Sequence, residues 1–360
     1  MNSPRVAAMT AALLTLLGVG NLAFGVTIQP GVQVGTVTQL AEISGLVSSR
    51  SLADTLWVHN DSGDSARFFA MCTAGKSLGT VTLTGATATD WEDIAIAPKP
   101  GGGNYLYLGD IGDNSANRTA GISIYRVTEP TSAANAAIAA ANYTKVTLKY
   151  PDLVPRNAES LLVDPLSGDL FIVTKGPAAR VYSAPATVFD TPGAIASLTS
   201  LGGLKVLLSN ATAADISPDG LHILIRSAST TAYLFERSIG QTVAQALQGT
   251  PIPFTLKAET QGESIGWAAD GKGFYTTSEL AGTGSAPVWY YAFAVPEPTT
   301  LAMSVCGAAA LIGVVLRRRA GQHAPITTRF FGRSGLAGDL ISPAVHRLCG
   351  RQPSPTRHHD

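Results

Sequence analysis

Asp90-Trp91-Glu92-Asp93-Ile94, then Leu106-Tyr107-Leu108-Gly109-Asp110, then Ile122-Ser123-Ile124-Tyr125: this run spells a unit that returns along the chain. A strand start with polar residues at alternate positions leads through a turn to an apolar strand and then to one carrying aromatics. The same opening recurs at Glu42-Ile43-Ser44-Gly45-Leu46, Asn157-Ala158-Glu159-Ser160-Leu161, Asn210-Ala211-Thr212-Ala213-Ala214 and Gln261-Gly262-Glu263-Ser264-Ile265. Four copies continue into a further strand, expected at Gly79–Leu83, Lys145–Lys149, Leu204–Leu208 and Ile252–Leu256. The fifth copy lacks one, and the unassigned Val32–Leu40 is free to complete its sheet. A chain whose first strand finishes its last sheet closes a ring without free edges. The expectation is an all-β chain: a β-propeller, residues 26–294, of five four-stranded blades closed by an N-terminal strand. A β-sandwich is the competing reading, and the shared register of Asp164-Pro165 and Ser217-Pro218 argues against it. Six blades stay open if two copies are merged. Only Ala133–Ala141 and Val243–Leu247 read as short helices.

Innermost strands of a propeller begin beside its central channel. The repeated polar positions therefore predict two stacked rings. One is Glu42, Asp90, Asn157, Asn210 and Gln261; the other is Ser44, Glu92, Glu159, Thr212 and Glu263. Residues two apart share a strand face, so both rings can point inward. Three carboxylates in one ring repel one another and need a cation, protons or water between them. A hard cation such as Ca2+, which takes six to eight oxygens, suits that donor set. Hydrogen bonding between blades suits it too, and both readings stay open.

Two Asp-rich loops follow the second strands of the first two blades: His59-Asn60-Asp61-Ser62-Gly63-Asp64 and Gly109-Asp110-Ile111-Gly112-Asp113-Asn114. Asp61, Asp64, Asp110 and Asp113 are candidate metal ligands, although such clusters also make turns. Lys175, Arg226 and Glu279 fall at comparable strand ends, and Lys175 and Arg226 could hold an anionic group. His59 could act as a base near Asp61, against the alternative of a packed core histidine. The four tryptophans sit at strand positions and read as packing between blades.

The net charge of zero hides an uneven distribution. Residues 26–295 carry 16 Lys and Arg against 22 Asp and Glu, about −6. That balance excludes a basic nucleic-acid groove. Three cysteines, Cys72, Cys306 and Cys349, show no metal spacing.

Both ends read as targeting segments. Residues 1–25 combine Arg5, the apolar run Ala7–Ala23 and Ala23-Phe24-Gly25 before Val26, the pattern of a signal peptide. Near the other end, Val295-Pro296-Glu297-Pro298-Thr299 precedes an uncharged stretch to Leu316 and then Arg317-Arg318-Arg319. A helix over 299–316 would be about 27 Å long, close to the hydrocarbon thickness of a membrane. The arginines would stay cytoplasmic. This order of Pro296-Glu297-Pro298, apolar helix and basic cluster resembles the PEP-CTERM sorting domain. The resemblance implies an exosortase-type protease as partner, an inner-membrane intermediate, and delivery to the surface or matrix of a Gram-negative-type bacterium. Residues 320–360 continue past the basic cluster, unlike most such domains, and read as a disordered tail.

Leu56–Asp64 and Asp90–Asn114, with Trp91-Glu92-Asp93, also resemble a family of secreted bacterial propellers, and more loosely phytase-like and esterase-like propeller proteins. The likeness covers about residues 38–130. It implies a propeller with a metal-dependent site at the channel mouth. Two functions follow as expectations: an exported binding module of unnamed ligand, or a metal-dependent hydrolase of a phosphoester or lactone.

Overall fold

The computed structural model describes residues 26–280 and 284–294. Two strands come first, β1 (Thr27–Ile28) and β2 (Val32–Val37). Blade one is β3 (Ile43–Ser48), β4 (Thr55–Asn60), β5 (Arg67–Cys72) and β6 (Ser77–Leu83). Blade two has β7 (Trp91–Pro98), β8 (Asn104–Asp110) and β9 (Ile122–Thr128); β10 (Ala136–Ile138) then precedes its outer strand β11 (Tyr143–Lys149). Blade three has β12 (Ala158–Val163), β13 (Leu170–Thr174) and β14 (Arg180–Ala184); β15 (Ile195–Ser197) precedes its outer strand β16 (Thr199–Gly203). Blade four is β17 (Ala211–Ile216), β18 (His222–Ser227) and β19 (Thr231–Glu236), then helix α1 (Val243–Leu247) and β20 (Ile252–Thr255). Blade five is β21 (Gly262–Trp267), β22 (Gly273–Ser278) and β23 (Ala286–Ala294).

Each blade is an antiparallel meander. Its first strand is the innermost, and these strands neighbour one another in a closed circuit, β3–β7–β12–β17–β21 and back to β3. This is the expected five-bladed propeller. Closure is also as expected: β2 pairs antiparallel with β23, Val32 opposite Tyr290.

Consecutive blades meet through apolar layers. Trp57, Phe68, Trp91 and Tyr125 fill the gap between blades one and two. Trp57, Trp91 and Trp267 are fully buried, which makes them packing residues. An indole of that size contributes roughly 4–6 kcal/mol as an upper bound from burial alone.

Two expectations need correction. The outer strand of blade three is Thr199–Gly203, not Leu204–Leu208. Outer strands face solvent, so apolar character does not mark them, and Leu208 instead packs between blades three and four. Ala133–Ala141 is not an α-helix, and only its end enters a 3-10 turn, Ala140–Asn142. Its Ala136–Ile138 forms β10, which pairs parallel with β6 of blade one. Backbone bonds offered by an open sheet edge outweigh the helix preference of alanine. In the same way β15 pairs parallel with β11 of blade two. Helix α1, which is where the sequence places it, packs into the layer between blades three and four. Gln248, just after it, donates to the carbonyls of Leu201 and Gly203 on the edge of blade three.

No helix among the described residues is long and apolar enough to cross a membrane. The expected signal peptide, sorting motif, span 299–316 and tail 320–360 lie outside those residues.

Candidate functional site

One backbone irregularity repeats in every blade. Between the first and second strands the register slips at Ile43/Gly45, Trp91/Asp93, Ala158/Ser160, Ala211/Ala213 and Gly262/Ser264. The extra residues are Ser44, Glu92, Glu159, Thr212 and Glu263, the second of the two predicted rings. A bulge re-aims the side chain of its extra residue out of the normal alternation. All five are buried.

The five do not share one role. Ser44 donates to the Glu92 carbonyl oxygen at 2.6 Å, and Thr212 donates to the Gly262 carbonyl oxygen at 2.7 Å. These two tie neighbouring blades. The three glutamates carry the charge, and each feels the others: Glu92 is opposed by Glu159 and Glu263, and Glu263 by Glu159. The other ring opens to solvent. Glu42, Asn210 and Gln261 are exposed, Asn157 is half-buried, and only Asp90 is buried.

Loops add to the glutamates. Asp61 joins Asp90 and Glu92, with one carboxylate oxygen from each within 4.8 Å of the others. Asp61 also joins Glu263 and Glu279 under the same limit. Oxygens on opposite sides of a Ca2+ at about 2.4 Å lie about that far apart. Gly112 permits the approach of its loop: a β-carbon there would sit 2.3 Å from Glu92 Oε1 and 2.5 Å from Asp90 Oδ2.

The other loop aspartates are committed elsewhere. Asp64 accepts from Arg67 and Asn60, at 2.8 and 3.0 Å. Asp110 pairs with Arg118 at 2.8 Å. Asp113 accepts the backbone N–H groups of Asn117 and Arg118, both at 2.9 Å. Asp61 alone of the four joins the cluster, because the others close their own turns.

Arg226 is not free for an anion. It lies 2.7 Å from Glu259, both side chains are 1% exposed, and it also donates to the Ser264 carbonyl oxygen. Lys175 Nζ lies 2.5 Å from Glu159 Oε1 inside the acidic mouth. His59 is sealed: it is fully buried, its Nδ1 meets the Asn60 carbonyl oxygen, and it packs edge-on to Trp91. Burial pushes its pKa down to about 4, so the ring stays neutral.

Burial raises the carboxylates. It pushes Asp61 up to about 6. Glu92 is held well above the usual carboxylate range, first by burial and then by Glu159, Asp61, Asp90 and Glu263. Burial and neighbouring carboxylates also raise Glu263. Glu159 rises through burial, against the opposing pull of Lys175. Burial works against the charge of Lys175, but Glu159, Glu263 and Glu92 outweigh it and hold the ammonium above its ordinary value.

Three buried carboxylate oxygens here have no hydrogen-bond partner: Asp90 Oδ1, Glu159 Oε2 and Glu263 Oε2. Unpartnered buried oxygens are costly, and an all-oxygen set of this charge fits a hard cation. Deeper in the ring are two aspartates that sequence reasoning did not single out. Asp93 accepts the N–H groups of Ile94, Leu161 and Ala214, joining three blades. Asp215 accepts those of Ile216 and Trp267. Acids inside otherwise apolar strand cores were the available signal. Glu259, in a loop, gave none.

Comparison of the chain with protein-family models and with curated proteins yields no match.

Proposed function

We propose that this chain is an exported, surface-destined binding module, and that its ligand site is the acidic mouth of the propeller channel. A hard divalent cation, Ca2+ first, completes that site. Asp61, Asp90 and Glu92 offer one set of ligands, and Asp61, Glu263 and Glu279 a second that shares Asp61. Positive charge fixed there would present an electrophilic centre to an anionic or hydroxyl-rich extracellular ligand. The carrying observation is the convergence of carboxylates from separate blades with buried oxygens left unpartnered. The burial of His59 and the engagement of Arg226 by Glu259 favour binding over hydrolysis, because neither side chain is open to a substrate.

The test is thermal unfolding of the full-length chain in mild detergent, with Ca2+ and with chelator. At a hundredfold excess over Kd, one Ca2+ should stabilise by about 2.7 kcal/mol. A midpoint moved by neither addition sinks the cation. Turnover of phosphoesters or lactones that needs metal and is lost in Glu92→Gln and Glu159→Gln would replace binding with the hydrolase reading.

Export rests on residues 1–25 and 295–319. The partner is an exosortase-type protease recognising Pro296-Glu297-Pro298 and the Arg317-Arg318-Arg319 cluster. Deleting 295–319 should abolish surface labelling in a host that carries such a protease; undiminished labelling would refute the sorting role.

A further inference from the structure

Glu159 stands apart from its neighbours. It is a ring carboxylate, 2% exposed, yet it belongs to neither group of oxygens that meets at Asp61. Its Oε1 is held by Lys175 Nζ at 2.5 Å and by Asn157 Nδ2 at 3.2 Å, while its Oε2 is buried without a partner. The ammonium also faces Glu92, Glu263, Asp61 and Asp90. Lys175 follows β13 directly, so its charge is anchored to the same blade as Glu159. A charge tied to the backbone gives up no translational freedom when it meets its partner, whereas a mobile ion must. A divalent cation at Glu159 would also have to displace the ammonium or accept its repulsion at close range.

We propose that Lys175 is a tethered cation: it takes Glu159 out of the ligand set and so limits how many divalent cations the mouth accepts. This rests on the reading of the mouth as a cation site and adds what sets its capacity. Lys175 is thus a residue that fixes stoichiometry, and Glu159 is a latent ligand.

The test counts Ca2+ bound per full-length chain by equilibrium dialysis, in the native protein, Lys175→Gln, Lys175→Arg and Lys175→Gln/Glu159→Gln. The expected result is one additional Ca2+ in Lys175→Gln, with the native number in Lys175→Arg and in the double variant. An unchanged number in Lys175→Gln overturns the proposal and leaves the cation reading standing. No Ca2+ in the native chain but one in Lys175→Gln overturns the cation reading and keeps the tethered charge. None in either overturns both. Lys175→Gln could fold only when Ca2+ is present. The double variant then decides: folding in chelator, with the native number bound once Ca2+ is added, supports the proposal, and an extra ion bound there defeats it.

Discussion

Glu92 and Asp93 are neighbours in the chain, both buried and both raised by that burial, yet they are partnered in opposite ways. Asp93 meets three backbone N–H groups drawn from blades two, three and four. Glu92 receives the Ser44 hydroxyl at a long 3.5 Å and otherwise faces other carboxylates. The same contrast separates the Arg226–Glu259 pair, closed on itself, from Glu159 and Glu263, each with an oxygen left over. Buried charge that is fully partnered holds blades together; buried charge that is not awaits something from outside.

That contrast can be broken most severely at Arg226. Arg226→Met strands Glu259 in a site 1% exposed and should cost about 3–5 kcal/mol in denaturant unfolding. A loss below about 1 kcal/mol would mean the pair is not sealed. Asp93→Ala removes the acceptor of two inter-blade N–H groups and should cost about 2–3 kcal/mol by the same measurement. Replacing the unpartnered acids should do the reverse. In chelator, Glu92→Gln removes the cost of burying that carboxyl among other carboxylates and should raise stability by about 1 kcal/mol, while abolishing the stabilisation by Ca2+. If it destabilises in chelator as Asp93→Ala does, the two groups are alike and the distinction fails. The contrast also has a pH dependence. Carboxylates raised in the folded chain favour folding most below the ordinary carboxylate range. That contribution fades as pH rises through about 6 for Asp61, and further above for Glu159 and Glu263. The unfolding midpoint in chelator should therefore fall between pH 5 and pH 8, and Ca2+ should flatten the decline; a midpoint that rises over this range contradicts it.

Much of this was legible in the sequence because blades repeat. Alternating polarity at Glu42, Asp90, Asn157, Asn210 and Gln261 located the strand starts, and Val32–Leu40 was rightly given to the last sheet. The bulge was not legible. Regular alternation puts residues two apart on one face, but the slip between Ile43 and Gly45 and its four counterparts restarts the phase. For that reason one ring is buried while Glu42, Asn210 and Gln261 reach solvent. Outer strands were legible where apolar and polar residues alternate, as in Tyr143–Lys149, and Thr199–Gly203 of blade three lacks that alternation. Partners from loops, such as Glu259 for Arg226, lie 33 residues away and leave no periodic trace.

The straps between blades carry a consequence for assembly. The edge of blade one is covered by Ala136–Ile138, that of blade two by Ile195–Ser197, and that of blade three is capped by Gln248 after α1. Each cover is encoded within the blade that follows. A chain emerging amino end first therefore leaves each of the first three sheets bare until part of the next has appeared, and β2 waits longest, for β23. Nascent intermediates of this protein must pass through a series of sticky half-built wheels, shielded one spoke late.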